Sequence, residues 1–267
     1  MSQGTLIAHC GARKLTREEL VALPVPEATN TFKPIPHVEV VNALVETLNF
    51  RHIAVVREEF AVSENGMRMF GVLDLEAGFD GARFSLGLRN SNDKSLRLAM
   101  TCGYRVFVCD NLAFQGEFTP VLAKHSKNFQ MIDSLTIGVD RMQRNFKPMV
   151  AQVEAWQRSQ ISETAAKGII YDAFIKGELD VPRHLARSVH QHYFEPPHEE
   201  FSPRTFWSLS NAFTEALKAL DDATFFKATA KLGTFLAPRA PQALLPAAVE
   251  ETVIDVQPVR EHVEVAS

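Results

Sequence analysis

The chain has 267 residues, 46% of them hydrophobic, with 28 Lys or Arg against 32 Asp or Glu and a formal net charge of −4. That length fits one large domain or two modest ones, and the apolar share is enough for a sizeable core. The slight acidity excludes a module built wholly to coat duplex nucleic acid, though it leaves room for a local basic surface.

Residues 1–35 read as an irregular lead-in. Its first ten residues hold one short apolar stretch, Leu6 to Ala8, with no charged segment before it, so no secretory signal is expected. Thr16 can cap a short helix with Glu18 and Glu19 in its first turn. Pro24, Pro26, Pro34 and Pro36 interrupt regular structure. Val38, Val41, Leu44, Val45 and Leu48 then recur at helical spacing and predict an amphipathic helix over about residues 37–49.

From His52 the pattern becomes strand-like. His52 to Val62 and Met67 to Leu75 flank Glu64-Asn65-Gly66, and Asn-Gly favours a tight hairpin turn. Further strands are expected at Arg83 to Leu88, at Ser95 to Thr101 and at Tyr104 to Cys109. Arg89 to Ser95 reads as a polar turn between them. Residues 52–110 are therefore expected to form an antiparallel sheet.

After about residue 130 the spacing turns helical. Ile132, Leu135, Val139, Met142, Phe146, Met149, Val153 and Trp156 make a long apolar stripe, which Pro148 is expected to kink or divide. Ser162 caps a helix through about Lys176 that Gly177 ends. Pro182 fits the first turn of the next helix, which runs to about Tyr193. Helices over 204–220 and 223–232 complete the half. Strands followed by helices imply an α+β fold, with residues 36–236 as a single domain. Residues 237–267 form a Pro/Ala-rich acidic tail expected to be disordered. The three cysteines, Cys10, Cys102 and Cys109, show no CxxC spacing and suit a reducing cytoplasm. Charge interrupts every apolar run before about 18 residues, so no membrane span is expected.

Several constellations can carry chemistry. Gly87-Leu88-Arg89-Asn90-Ser91-Asn92-Asp93-Lys94-Ser95 can be a loop whose amides, hydroxyls and Arg89 or Lys94 hold an anion. It can equally be a turn whose Asn, Ser and Asp side chains bond their own backbone. Cys109-Asp110-Asn111 follows a strand. A nucleophilic Cys109 would need a base, for which His125 is nearest in sequence, whereas the plain reading is a buried thiol. His190, His192 and His198 are weak metal candidates without a ligand pattern; the alternative is a solvated helix end. Arg83 to Lys147 holds ten Lys or Arg against five Asp or Glu, a net of +5. Within it Lys124, Lys127, Arg141 and Arg144 lie beside Phe129 and Phe146, a mixture that suits unpaired bases or simply a solvated helix face. Phe206, Leu209, Phe213 and Leu217 read as a core helix stripe.

The first of these runs, then Arg105-Val106-Phe107-Val108-Cys109-Asp110-Asn111, then Lys124-His125-Ser126-Lys127-Asn128, and later Trp207-Ser208-Leu209-Ser210-Asn211-Ala212-Phe213-Thr214-Glu215, together resemble the domain of unknown function 932. The resemblance covers roughly residues 40–220. It implies an association with phages, plasmids and other mobile elements, and it transfers no catalytic residue.

Beside an interaction protein acting on a host factor in an anti-defence role, two functional expectations follow. One is a non-catalytic, cytoplasmic accessory protein without a cofactor. It would bind nucleic acid, single-stranded above all, through Arg89, Asn90, Ser91, Lys94, Lys124, Lys127, Arg141 and Arg144, or would bind a protein of the DNA-processing or host-defence machinery. The other is a hydrolase- or nuclease-type enzyme using Asn90, Asp93, Cys109, Asp110 and His125.

Overall fold

The computed structural model describes residues 13–107, 112–114, 121–123, 125–126, 129–220 and 222–240. The lead-in contributes a strand, β1 (Arg13–Leu15), paired antiparallel with β2 (Val55–Val62). Three residues with no alternation gave no sign of it. Helix α1 (Arg17–Leu20) starts at Thr16 in a capping box: Thr16 Oγ accepts from the Glu19 amide, and the Glu19 carboxylate takes the Thr16 amide at 2.7 Å. Helix α2 (His37–Phe50) buries the expected Val41, Leu44 and Leu48, leaves Val38 and Val45 partly buried, and buries Val40 as well.

β2 and β3 (Arg68–Phe79) form the hairpin whose turn carries Asn65-Gly66. Gly66 has φ +72°, where a side chain is strained, and Asn65 Oδ1 accepts from the Ser63 hydroxyl and the Met67 amide at 2.7 and 3.1 Å. β4 (Ala82–Ser91) and β5 (Leu98–Val106) extend the antiparallel sheet. β6 (Leu112–Phe114) and β7 (Val121–Ala123) lie end to end along the outer edge of β5, at Gly103–Arg105 and Leu98–Met100.

Two expectations change here. Arg89, Asn90 and Ser91 are not turn residues; they pair with Phe70, Met69 and Arg68 as the last rungs of β4. Their polarity serves the strap and the turn at the end of the sheet, since Asn90 and Ser91 are fully buried. The expected strands 95–101 and 104–109 also merge, as far as Val106, into one strand, and Val108 and Cys109 lie outside the described residues. One strand runs through Gly103, which pairs with Ser85 and breaks nothing.

The helical half follows the spacing closely. It comprises α3 (Met131–Arg158), α4 (Glu163–Phe174), α5 (Leu185–Phe194), α6 (Phe206–Leu217) and α7 (Asp222–Leu236). Pro148 does not divide α3. The carbonyl it leaves unbonded belongs to Arg144, which is exposed, so water can take its place. Ser162 Oγ caps α4 by accepting from the Ala165 amide at 3.2 Å, and Pro182 lies in the turn before α5. Residues 237–239 form a 3-10 turn, with Arg239 Nη1 donating to the Phe235 carbonyl at 2.7 Å. The acidic tail expected beyond it lies outside the described residues from 241 onward.

Strand alternation and register give the sheet two faces. The front face presents Phe60, Val62, Leu73, Phe84, Leu86, Leu88, Met100, Cys102 and Tyr104 to one continuous core shared with the helices. Phe146 of α3 stacks on Phe84 at 3.9 Å, and Trp207 of α6 meets Tyr104 at 5.6 Å. Every residue of α6 except Glu215 is buried. The back face is mixed. Val72 and Leu112 pack under Phe225 of α7. Beside them Asp74 accepts from the Ser85 hydroxyl at 2.6 Å and pairs with Arg105 Nε at 2.9 Å, and Arg105 also reaches Glu59 at 3.6 Å. Among the described residues no helix is long and apolar enough to cross a membrane.

Candidate anion-binding sheet end

The end of β4 and the turn that follows divide their side chains between the two faces. Asn90 points to the front and is fully buried. Its Nδ2 donates to the Ile35 carbonyl at 3.0 Å and to His37 Nδ1 at 2.9 Å. Asn92 Oδ1 accepts from the Ile35 amide at 3.1 Å. The two amides thus clasp one residue of the strap 29–37, which crosses the end of the sheet. His37 Nε2 stands 3.0 Å from the Gly66 carbonyl. That contact makes Nε2 the protonated nitrogen and leaves Nδ1 to accept from Asn90. Asn90 is therefore a structural clasp and not a surface ligand.

His125 lies against the same strap. Its carbonyl accepts from the Lys33 amide at 3.2 Å, and its ring stacks between Phe32 at 5.8 Å and Phe129 at 6.0 Å. Neither ring nitrogen has a hydrogen-bond partner among the described residues, and the residue is 4% exposed. Burial, reinforced by the nearby His37, pushes its pKa below the usual value. Burial likewise lowers His37, outweighing the Gly66 carbonyl and Asp93, which favour its charged form.

On the other side of the turn, burial would raise the Asp93 pKa, but bonds from Ser91 and Ser95 and the charge of Arg68 hold it below the usual carboxylate range. Ser91 Oγ donates to Asp93 Oδ1 at 2.5 Å, the Ser95 amide donates to the same oxygen at 3.0 Å, and Arg68 Nε lies 3.8 Å from Oδ2. Lys94 adopts φ +66°, and its ammonium lies 5.2 Å over the Phe32 ring. Of the proposed catalytic set, the described members Asn90, Asp93 and His125 share no hydrogen bond with one another.

Arg89 sits on the back face, one rung from Arg68. It is half-buried, its Nε has no partner, and no carboxylate pairs with it among the described residues. Burial and the adjacent Arg97 depress its pKa. Arg68, Arg89 and Arg97 thus form a basic cluster, and Asp93, which pairs with Arg68, is already engaged in its own turn.

The other candidates do not join it. Arg141 and Arg144 lie on α3, which packs on the front face through Phe146. His190 packs on Phe194 at 4.5 Å, His192 Nδ1 meets the Ser188 carbonyl at 2.8 Å, and His198 sits edge-on to Phe201 at 6.2 Å. No group of three or more His, Cys, Asp or Glu among the described residues could hold a metal ion. Cys109, Asp110, Lys124 and Lys127 lie outside the described residues. Cys102 is fully buried on the front face, which pushes its thiol pKa up and keeps it in the neutral form.

The sequence profile of the domain of unknown function DUF932 matches residues 27–230. The chain belongs to the DUF932 family. No curated protein and no solved structure matches it. The DUF932 span opens just before the strap and closes within α7, so it takes in both the clasp and the basic sheet end. In this DUF932 domain, sequence reading missed four members of the site: Phe32, His37, Arg68 and Arg97. Phe32 and His37 flank Pro34 and Pro36, the prolines that marked the strap as mere lead-in. Register could have found Arg68: the Asn65-Gly66 turn fixes β3, and β3 fixes which rung faces Ser91.

Proposed function

We propose that this DUF932 domain binds nucleic acid, single-stranded in preference to duplex, at the end of its sheet around Arg68, Arg89 and Arg97. The observation that carries the reading is Arg89. A half-buried guanidinium without a carboxylate and beside a second arginine costs folding free energy that an anionic ligand would recover. The residues resembling phage- and plasmid-associated domains run through this same segment, which supports a role in a mobile element. The patch is a pleated surface. Among the described residues no helix or ribbon stands out from it to enter a major groove, so a strand whose phosphates and bases lie along the surface fits it better than a duplex.

The test is fluorescence anisotropy of a labelled thymidine decamer at rising salt. Binding is expected at low salt, with the association constant falling linearly on a log–log plot. Arg89→Gln and Arg97→Gln should each flatten the slope by about 0.7, the share of one phosphate contact on a single strand. No binding at low salt, or slopes unchanged in both variants, overturns the proposal.

A further inference from the structure

The turn after β4 holds a second device that the basic cluster does not use. Lys94 adopts φ +66°. Glycine and asparagine take that conformation easily, and a lysine there is strained. The strained turn sets the Lys94 ammonium 5.2 Å over one side of Phe32, while the His125 ring stacks on Phe32 at 5.8 Å with only 13° between the planes. Phe129 continues the column beyond His125 at 6.0 Å and 14°. Phe32 is thus held flat by a stack of aromatic rings, is itself only partly buried, and carries an exposed lysine over its ring. No carboxylate pairs with that lysine among the described residues, because Asp93 next to it bonds Ser91, Ser95 and Arg68.

Resting on the nucleic-acid reading above, we infer that Phe32 and Lys94 form a base-stacking subsite of that surface. A nucleobase stacks on Phe32 in place of the Lys94 ammonium, and the displaced ammonium takes the phosphate of the same nucleotide. An exposed cation over a phenyl ring is a weak contact. A base stacked on an aromatic side chain is a stronger one, and it tolerates any base because each has a π face. The strained backbone belongs to this mechanism: it aims the cation at the ring, where strain at a binding loop is commonly stored. The turn joins this subsite on the front side to Arg89 and Arg97 on the back, so one strand passing over the turn meets stacking and phosphate contacts in succession.

The experiment compares a labelled thymidine decamer with an abasic decamer of the same length and charge, on the full chain. The native protein should bind the thymidine strand about tenfold more tightly, the scale of one stacked base. Phe32→Leu should abolish that preference while leaving the abasic affinity unchanged. Lys94→Gly relieves the turn, so it should raise the melting temperature while flattening the salt slope for both probes. Equal affinity of the native protein for the two probes, with Arg89→Gln still weakening both, overturns the stacking subsite and leaves the phosphate reading intact. Failure of both probes to bind overturns both. The comparison on the native protein decides the matter even where Phe32→Leu does not fold.

Discussion

His125 shows how a single side chain can work against the fold that holds it. Its ring lies between two phenyl rings, buried, with both nitrogens lacking partners among the described residues. An unsatisfied buried polar group costs about 1–3 kcal/mol. Phenylalanine has nearly the same shape and no polar atom to desolvate. His125→Phe is therefore expected to stabilise the protein by about 1 kcal/mol, read as a higher urea midpoint at pH 7.5. A lower midpoint would mean that the imidazole has a polar partner after all. Asn90 is a mixed case, with its Oδ1 lacking a partner among the described residues and its Nδ2 doubly bonded. Its Nδ2 has two acceptors, the Ile35 carbonyl and His37 Nδ1, and its loss would free the strap.

At the scale of elements, the hairpin β2–β3 is tuned by a residue without a side chain. A Cβ at Gly71 would stand 2.8 Å from Phe60 Cδ1, and Phe60 is 2% exposed within the core. Gly71→Ala should cost about 1–3 kcal/mol by overpacking. Adding Phe60→Leu should recover part of that loss, a non-additive pair measurable in a thermal double-mutant cycle. Strict additivity would place the strain elsewhere. The elements themselves were largely legible in the sequence. Long apolar periods gave α2, α3 and α6, and Asn65-Gly66 gave the hairpin, because those signals arise from the residue's own backbone and face. What was not legible depends on pairing between distant segments. Nothing local in Arg13–Leu15 says that it will meet β2. Nothing in Arg89 says which face its rung will take until β3 is in register. The polar run 89–95 stands out in the sequence, but its asparagines serve the strap and its arginine serves the opposite face.

The whole molecule carries a pH dependence that follows from the two histidines beside the strap. Both have folded pKa values below the ordinary 6.5, with burial the leading cause in each. The unfolded chain therefore binds their protons first as the pH falls. Their contribution to stability is complete above pH 6.5 and is lost progressively as the pH drops from there through the lower native values. The slope is at most about 1.4 kcal/mol per pH unit for each histidine. Urea midpoints should fall between pH 7 and pH 5, and should fall less in His125→Phe. A flat profile would show that both rings gain protons in the native state as readily as in the unfolded chain. The net charge of −4 does not oppose anion binding at the sheet end, because salt screens charges beyond about 8–10 Å and leaves the local arginines to act.

The clasp on Ile35 also orders events in time. Its two amide partners stand 55 and 57 residues further along the chain. As a ribosome makes the protein from its first residue, the strap emerges long before the asparagines that will fasten it. Until Asn92 has left the exit tunnel the clasp on Ile35 cannot close, so the β2–β3 hairpin is complete in the chain before the strap can be fastened to the end of β4.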